Sequence, residues 1–483
     1  MSSISPKTFV RPAFPLVPGT GHLTPLDQYM IRVVLPILCI FETDPAAARN
    51  TIIDSLKTGL SSTLVELDFL AADIVPCSPG GEDDFIQLEY SNDAGVWFYT
   101  ADAPNVSFSD LAARHFPLGA LPVEQFMPPG SLAHSETRSP ALSVQTTFIT
   151  GGLVLGFCIH HSVVDGPAIG NFLEIWARHT AAAADGCIVA TGGSSSDTVR
   201  NTYDFGTPAP DYTLADCYPG SLGAPLSLQK RIMDLAVAGD HQGLAKALQY
   251  THWRLSKESL DRLRQVAAPP SPGLPSVTDN NAISVLVWMS LSRARIGLSQ
   301  MGCSASASLS APTSSLYTAV NVRTRMDPPL PDDFPGNAIV MARAAAPATK
   351  LQDNTSAPGG TLYELATKVS ESVASWAPDR IWRLTRAIQA NSAVANGLVP
   401  PLGHDLVTTS PAQMVDMLAR CEWGGGLGVA RGLRWAFPAF ADGFAVLVPA
   451  LDGGMEIQLW AGQEACERLR GDGEWTGWVD LVE

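Results

Sequence analysis

At 483 residues the chain is long enough for two or three domains and a large core. Hydrophobic residues make up 46% and charged residues 16%, which excludes an intrinsically disordered protein. The formal net charge of -16 leaves no general field to attract nucleic acid or anionic lipid, so neither is an expected partner.

From the N-terminus onward, MSSISPKTFVRPAF lacks a basic segment followed by an apolar run, so a cytoplasmic protein is expected. The longest apolar run, Met30 to Phe41, is broken by Arg32 and Pro36 and is too short to cross a bilayer. Residues 144–150 and 153–160 are rich in β-branched and aromatic side chains and predict a hairpin turning at Gly151-Gly152. A helix is predicted next, with Pro167 at its first position, Gly166 as its cap, and Ile169, Phe172, Leu173 and Trp176 along one face. Residues 185–225, rich in Gly, Ser, Pro and Asp, predict a linker and divide the chain into expected domains 1–205 and 206–483. A Pro-rich loop is expected at 267–279, then a buried helix over 281–297 and an amphipathic helix over 361–376. Residues 441–462 predict a second hairpin, joined through Asp452-Gly453-Gly454. The expected class is α/β or α+β with mixed sheets. The eight cysteines show no C-x-x-C and no metal-ligand spacing, so they read as reduced thiols and no metal is expected.

The hairpin leads into HHSVVDG, residues 160–166. Strand side chains alternate, so His160 and His161 should point to opposite faces and not act as a pair. His161 to Asp165 forms H-x-x-x-D, which none of the other eight histidines repeats. So short a motif recurs by chance. A hydrogen-bonded core histidine and a general base on a substrate hydroxyl or amine are the two readings of it. Zinc spacing and a G-x-S-x-G elbow are both missing. Cys158 beside His160 reads as a small core residue before it reads as a nucleophile.

HHSVVDG resembles the signature of BAHD-type CoA-dependent acyltransferases and of peptide-synthetase condensation domains. LTPLDQYM (23–30), IIDSLKTGLSSTLVELDFLAADI, AISVLVWMSLSRAR, NVRTRMDPPLPDDFPGN, LVTTSPAQM and CEWGGGLG follow in the order of the fungal, trichothecene 3-O-acetyltransferase-like branch. The likeness runs from about residue 20 to the C-terminus. It departs at Glu422 and Trp423, where the family has Asp and Phe, and at Pro411, where it has Trp.

The resemblance implies two chloramphenicol-acetyltransferase-like domains with a channel at their interface and a segment exchange near 375–425. It implies a monomer that holds no permanent cofactor and uses acyl-CoA, acetyl-CoA above all, as co-substrate with a small-molecule acceptor. His161 would be the base. Asp165 would pair structurally with Arg323, and Gly166 would leave room for the channel or the helix start. Thr409, Ser410 and the Gly166 N–H are candidates for the oxyanion. Glu422, Trp423, Gly424 and Gly426 would form a structural loop. Arg420, Arg431 and Arg434 are candidates for the CoA phosphates. Two alternatives keep the fold. One changes the chemistry to condensation or release from an acyl carrier protein, or to cyclisation; the other is a non-catalytic small-molecule binder.

Overall fold

The computed structural model describes residues 7–78, 85–132, 137–187, 204–208, 248–299, 313–353, 358–390, 405–437, 441–450 and 452–483. Most of the expected 185–225 linker lies outside the described residues. The strands in chain order are β1 (Lys7–Val10), β2 (Gly19–Gly21), β3 (Val34–Glu42), β4 (Asp73–Pro76), β5 (Ile86–Tyr90), β6 (Val96–Ser107), β7 (Ser139–Pro140), β8 (Leu142–Thr150), β9 (Gly152–His160), β10 (Leu248–Leu255), β11 (Thr313–Asn321), β12 (Ile339–Pro347), β13 (Leu406–Thr409), β14 (Gly432–Trp435), β15 (Phe444–Pro449), β16 (Met455–Gly462) and β17 (Asp480–Leu481). The first half of the chain also forms helices α1 (Pro25–Tyr29), α2 (Arg49–Glu66), α3 (Phe108–Ala113), α4 (Val123–Phe126) and α5 (Gly166–Ala184).

Two mixed sheets form the body. One runs β1-β6-β8-β9-β3-β14, and the other runs β12-β11-β13-β15-β16-β10-β17. A small sheet, β2-β5-β4-β7, flanks the first. In the first sheet only β6–β8 is parallel; in the second, β13 runs parallel to both β11 and β15. The chain crosses back to the first sheet at β14, which pairs with β3 from Gly432↔Ile40 to Trp435↔Ile37. That strand lies just past the expected 375–425 segment, within which the helix Ala412–Leu418 and Trp423 already pack against α5 and the core of the first sheet.

Every residue of β9 is buried, because both faces are covered. Leu153, Leu155, Phe157 and Ile159 join the core with α2 and α5, while Val154 and Cys158 join Phe126 and Met127. A strand buried on both sides reads as an unbroken apolar run, which is how 153–159 appears. Gly156 is required there, since a Cβ would sit 2.0 Å from the Phe126 carbonyl oxygen. The hairpin turn is one residue earlier than Gly151-Gly152. Ile149 pairs with Gly152, which places Thr150 and Gly151 in the turn, Gly151 at φ 74°. The second hairpin closes as expected from its Asp-Gly-Gly, with Pro449 opposite Met455. Cys158 is a core residue whose burial pushes its thiol up to about 12.

Candidate active site

β9 ends at His160, where the apolar run 153–160 predicts it. His161 opens a short 3-10 turn, His161–Val163. His160 is buried, and its Nδ1 accepts the Ser162 backbone N–H at 3.2 Å. His161 is fixed at three points. Its N–H donates to the Val33 carbonyl at 2.8 Å. Its own carbonyl accepts from Asn337 Nδ2 at 2.9 Å, and its Nδ1 lies 2.9 Å from the Val164 carbonyl. A carbonyl only accepts, so Nδ1 carries the proton and the neutral ring keeps its lone pair on Nε2. Burial lowers the His161 pKa below the ordinary imidazole value, partly offset by the Val164 bond and the charge of Asp165.

Asp165, and not Gly166, caps α5: its Oδ1 accepts from the Ala168 N–H at 3.0 Å. An ionised carboxylate accepts more strongly at a helix start than a glycine backbone can. Gly166 becomes the first helical residue, where a Cβ would meet nothing within 4 Å. The Asp165 carboxylate is otherwise taken by the Arg323 guanidinium fork, Nη1 to Oδ2 at 2.7 Å and Nη2 to Oδ1 at 2.8 Å. Oδ2 also accepts from the Ala338 N–H at 2.8 Å. Arg323 Nη2 donates further to the carbonyls of Phe334 and Gly336. Both side chains are essentially inaccessible. Asp165 is thus spent on the second half of the chain, and no hydrogen bond joins it to His161 among the described residues.

Thr409 ends β13, half-buried, and Ser410 donates its hydroxyl to the Leu447 carbonyl at 3.0 Å. Pro411 then sits at the cap of the helix Ala412–Leu418, where a missing N–H costs nothing. That helix rests on α5, close enough that a Cβ on Gly170 would lie 2.7 Å from Met417 Sδ.

The Glu422–Gly428 loop lies elsewhere. Gly424, Gly425 and Gly426 all have positive φ, and a Cβ on Gly424 would sit 2.8 Å from the Ala181 Cα near the far end of α5. Ala181 is about 22 Å along the helix axis from Gly166. Trp423 is fully buried, edge-to-face with Phe41 at 5.4 Å and Trp176 at 5.3 Å. Such pairs are worth about 0.5–1.5 kcal/mol each beyond burial. Glu422 is exposed.

The three arginines part company. Arg420 is exposed and donates Nε to the Asp416 carbonyl. Arg431 is exposed and lines a cavity of about 210 Å³ between the helix Ala412–Leu418, β14 and the end of β15. Arg434 is buried: Nε donates to the Phe116 carbonyl at 2.8 Å, Nη2 to the His115 carbonyl, and Nη1 meets Glu456 at 2.7 Å. Arg434 borders the same cavity as Arg431, but its guanidinium is already engaged by Glu456 and backbone carbonyls, which leaves Arg431 the freer donor there.

Two residues at the site had no role assigned from the sequence. Asp27 and Asn337 sit inside the quoted stretches LTPLDQYM and DFPGN, but their pairing is long-range and leaves no local pattern. The one available signal is that a polar residue amid apolar neighbours needs a partner.

The Transferase family model matches residues 3–461. The chain is 27% identical to "Acyltransferase cm3D" of Cordyceps militaris over 95% of this chain and 96% of that protein. It is 28% identical to "Acyltransferase easC" of Emericella nidulans over 98% of each. Its fold is shared with TRI101 of F. sporotrichioides, solved with coenzyme A and T-2, at a TM-score of 0.74 and 17% identity over 96% of this chain and all of that one. Vinorine synthase gives a TM-score of 0.66 at 18% identity over 98% of each chain. The chain has the two-domain, chloramphenicol-acetyltransferase-like α/β fold and belongs to the Transferase family, as a BAHD-type acyltransferase.

Proposed function

We propose that the protein transfers an acetyl group from acetyl-CoA to a hydroxyl of a specialised small molecule, with His161 as general base. The observation that carries this is the 2.9 Å contact between His161 Nδ1 and the Val164 carbonyl, from which the tautomer follows. With Nδ1–H held by the Val164 carbonyl, Nε2 is the basic nitrogen, and burial keeps the ring neutral near pH 7. The TRI101 structures hold coenzyme A with T-2 or ethyl coenzyme A, and a 26% identical relative from Penicillium ochrochloron is called an O-acetyltransferase.

Nε2 takes the acceptor's hydroxyl proton as its oxygen attacks the thioester carbon. The tetrahedral oxyanion collapses, the C–S bond breaks, and the imidazolium returns the proton to the departing thiolate. The products are an ester and the free CoA thiol, with no acyl-enzyme. A positioned base supplies roughly 10²- to 10⁴-fold. Thr409 is the preferred side-chain donor to the oxyanion, since Ser410 already donates to Leu447. The Gly166 N–H, at the first turn of α5, is the backbone candidate. Arg420 and Arg431, both exposed, are the candidates for CoA phosphates. We divide the chain near residue 205 into its two domains, with the channel between them.

Release of free thiol from acetyl-CoA, measured with a panel of hydroxylated polyketides and terpenoids, tests the reading. Acceptor-dependent release by wild type and its loss in His161→Ala support it. Acyl loss from a loaded carrier protein, with none from acetyl-CoA, overturns the CoA assignment. Ligand retention without turnover overturns catalysis.

A further inference from the structure

The segment Gly336–Asn337–Ala338 runs between two buried carboxylates. Ala338 donates to Asp165, as described above. Asn337 meets Asp27, whose Oδ1 accepts the Asn337 backbone N–H at 2.8 Å and its Nδ2 at 2.9 Å. Oδ2 of Asp27 accepts from the Thr24 N–H at 3.0 Å and the Thr24 hydroxyl at 2.8 Å. Asp27 and Asn337 are both fully buried. A Cβ on Gly336 would lie 3.2 Å from each Asp27 oxygen and 2.9 Å from the Phe334 ring, so the segment fits closely against this carboxylate.

The amide of Asn337 has one orientation available. A carboxylate can only accept, so Asn337 must turn its NH₂, and not its oxygen, toward Asp27. The second hydrogen of the same NH₂ then points at the His161 carbonyl, 2.9 Å away. Asp27 and His161 belong to the first half of the chain, and Asn337 leads into β12 of the second sheet.

We propose that Asn337, oriented by Asp27, is a positioning residue for His161: its amide fixes the His161 peptide plane and so the direction in which Nε2 points. The inference rests on His161 being the base, and it adds that the base is aligned only when the second half of the chain is docked. With the His161 N–H on Val33 and its carbonyl on Asn337, both ends of the residue are anchored. Removing the second anchor frees the peptide to turn and loosens the Nδ1–H bond to Val164. Misplacing a catalytic group by about 1 Å is enough to cost on the order of 10²-fold.

Asn337→Ala keeps the backbone N–H on Asp27 and deletes only the side-chain bonds. In acetyl transfer, kcat should fall about 30- to 100-fold with KM for acetyl-CoA within about twofold of wild type. Nitrogen NMR of ¹⁵N-histidine-labelled protein, with His161 identified by its absence in His161→Ala, reads the ring without substrate. Wild type should show the Nδ1–H form, and Asn337→Ala should move both nitrogens toward the average of two exchanging tautomers. Asn337→Ser, which keeps one donor, should fall between them, and it serves as the test if the alanine variant does not fold. Wild-type kcat and wild-type His161 nitrogen shifts in either folded variant overturn the proposal. Should the protein transfer no acyl group, the nitrogen shifts alone decide it. Shifts that move while His161→Ala keeps full turnover would sink the base and leave the positioning role standing.

Discussion

Arg434 and Glu456 pair at 2.7 Å from opposite sheets, with His252 3.4 Å from the same Glu456 oxygen. Arg434 lies in β14 of the first sheet and Glu456 in β16 of the second, and both are largely buried. Burial opposes ionisation of Glu456, but the Arg434 and His252 interactions outweigh it and hold the carboxyl at about 2. A carboxyl depressed in the folded state stabilises above its unfolded pKa, near 4.3, and loses that contribution as pH falls through about 2. Arg434→Met should cost about 3–5 kcal/mol in urea unfolding at pH 7, because it strands a buried charge. Glu456→Gln should cost less, since Arg434 keeps its carbonyl partners, and should flatten the loss of stability between pH 4 and pH 2. Equal losses in the two variants would argue against a charge effect.

His161→Ala should reduce turnover by roughly 10²-fold or more while the melting curve stays near that of wild type. The wild-type pH profile carries the sign of the lowered pKa. The active form is the neutral ring, so kcat/KM should fall on the acid side with a midpoint below about 6.5, the ordinary histidine value. A midpoint above that value would contradict a base in a desolvated site.

Asp165→Asn leaves the shape of the side chain but turns an amide NH₂ toward the Arg323 fork. The loss should be about 3–5 kcal/mol in chemical unfolding, with activity falling as the folded fraction falls. A stable variant with a specific loss of kcat would instead assign Asp165 to orienting His161.

Thr409→Val and Ser410→Ala separate the two hydroxyls. If Thr409 serves the oxyanion, its loss should lower kcat by on the order of 10²-fold with little change in stability. Ser410→Ala should cost about 1 kcal/mol of stability, the worth of its bond to Leu447, with kcat within a few-fold.

Gly424→Val places a β-branched residue at φ 63° with its Cβ 2.8 Å from the Ala181 Cα. Strain of this kind costs on the order of 1–3 kcal/mol before the clash is counted. Thermal unfolding should move well ahead of any change in KM. A change in KM at unchanged stability would place the loop in substrate binding.

Local signals made much of this molecule legible. The β-branched runs around Gly151, the face from Ile169 to Trp176 and the Asp452-Gly453-Gly454 turn each act within a few residues, and each became the hairpin or helix they predict. The error at the helix cap has a local cause too: Asp165 outcompetes Gly166 because it supplies a charged acceptor, while the strand ends at His160 as the run 153–160 predicts. The resemblance implied the Asp165–Arg323 pair, which the structure forms, but other partnerships made by tertiary packing left no mark in the sequence. Arg434 looks like Arg420 and Arg431 in the sequence, yet Glu456 and two carbonyls draw it inside. Asp27 finds Asn337 310 positions away, a separation no periodicity encodes.

The short strand β14 also decides when the molecule can be finished. It seals β3, whose residues Ile37 to Phe41 are wholly inaccessible. Until Gly432–Trp435 arrives, one side of β3 is an open row of backbone donors and acceptors flanked by apolar side chains, the form of edge that recruits other strands. During synthesis that edge waits for nearly the whole chain to emerge. A fragment ending near residue 205 would keep it permanently, and is expected to aggregate more readily than a chain that carries 432–435. Adding the second half in trans, as a fragment containing 432–435, should rescue its solubility.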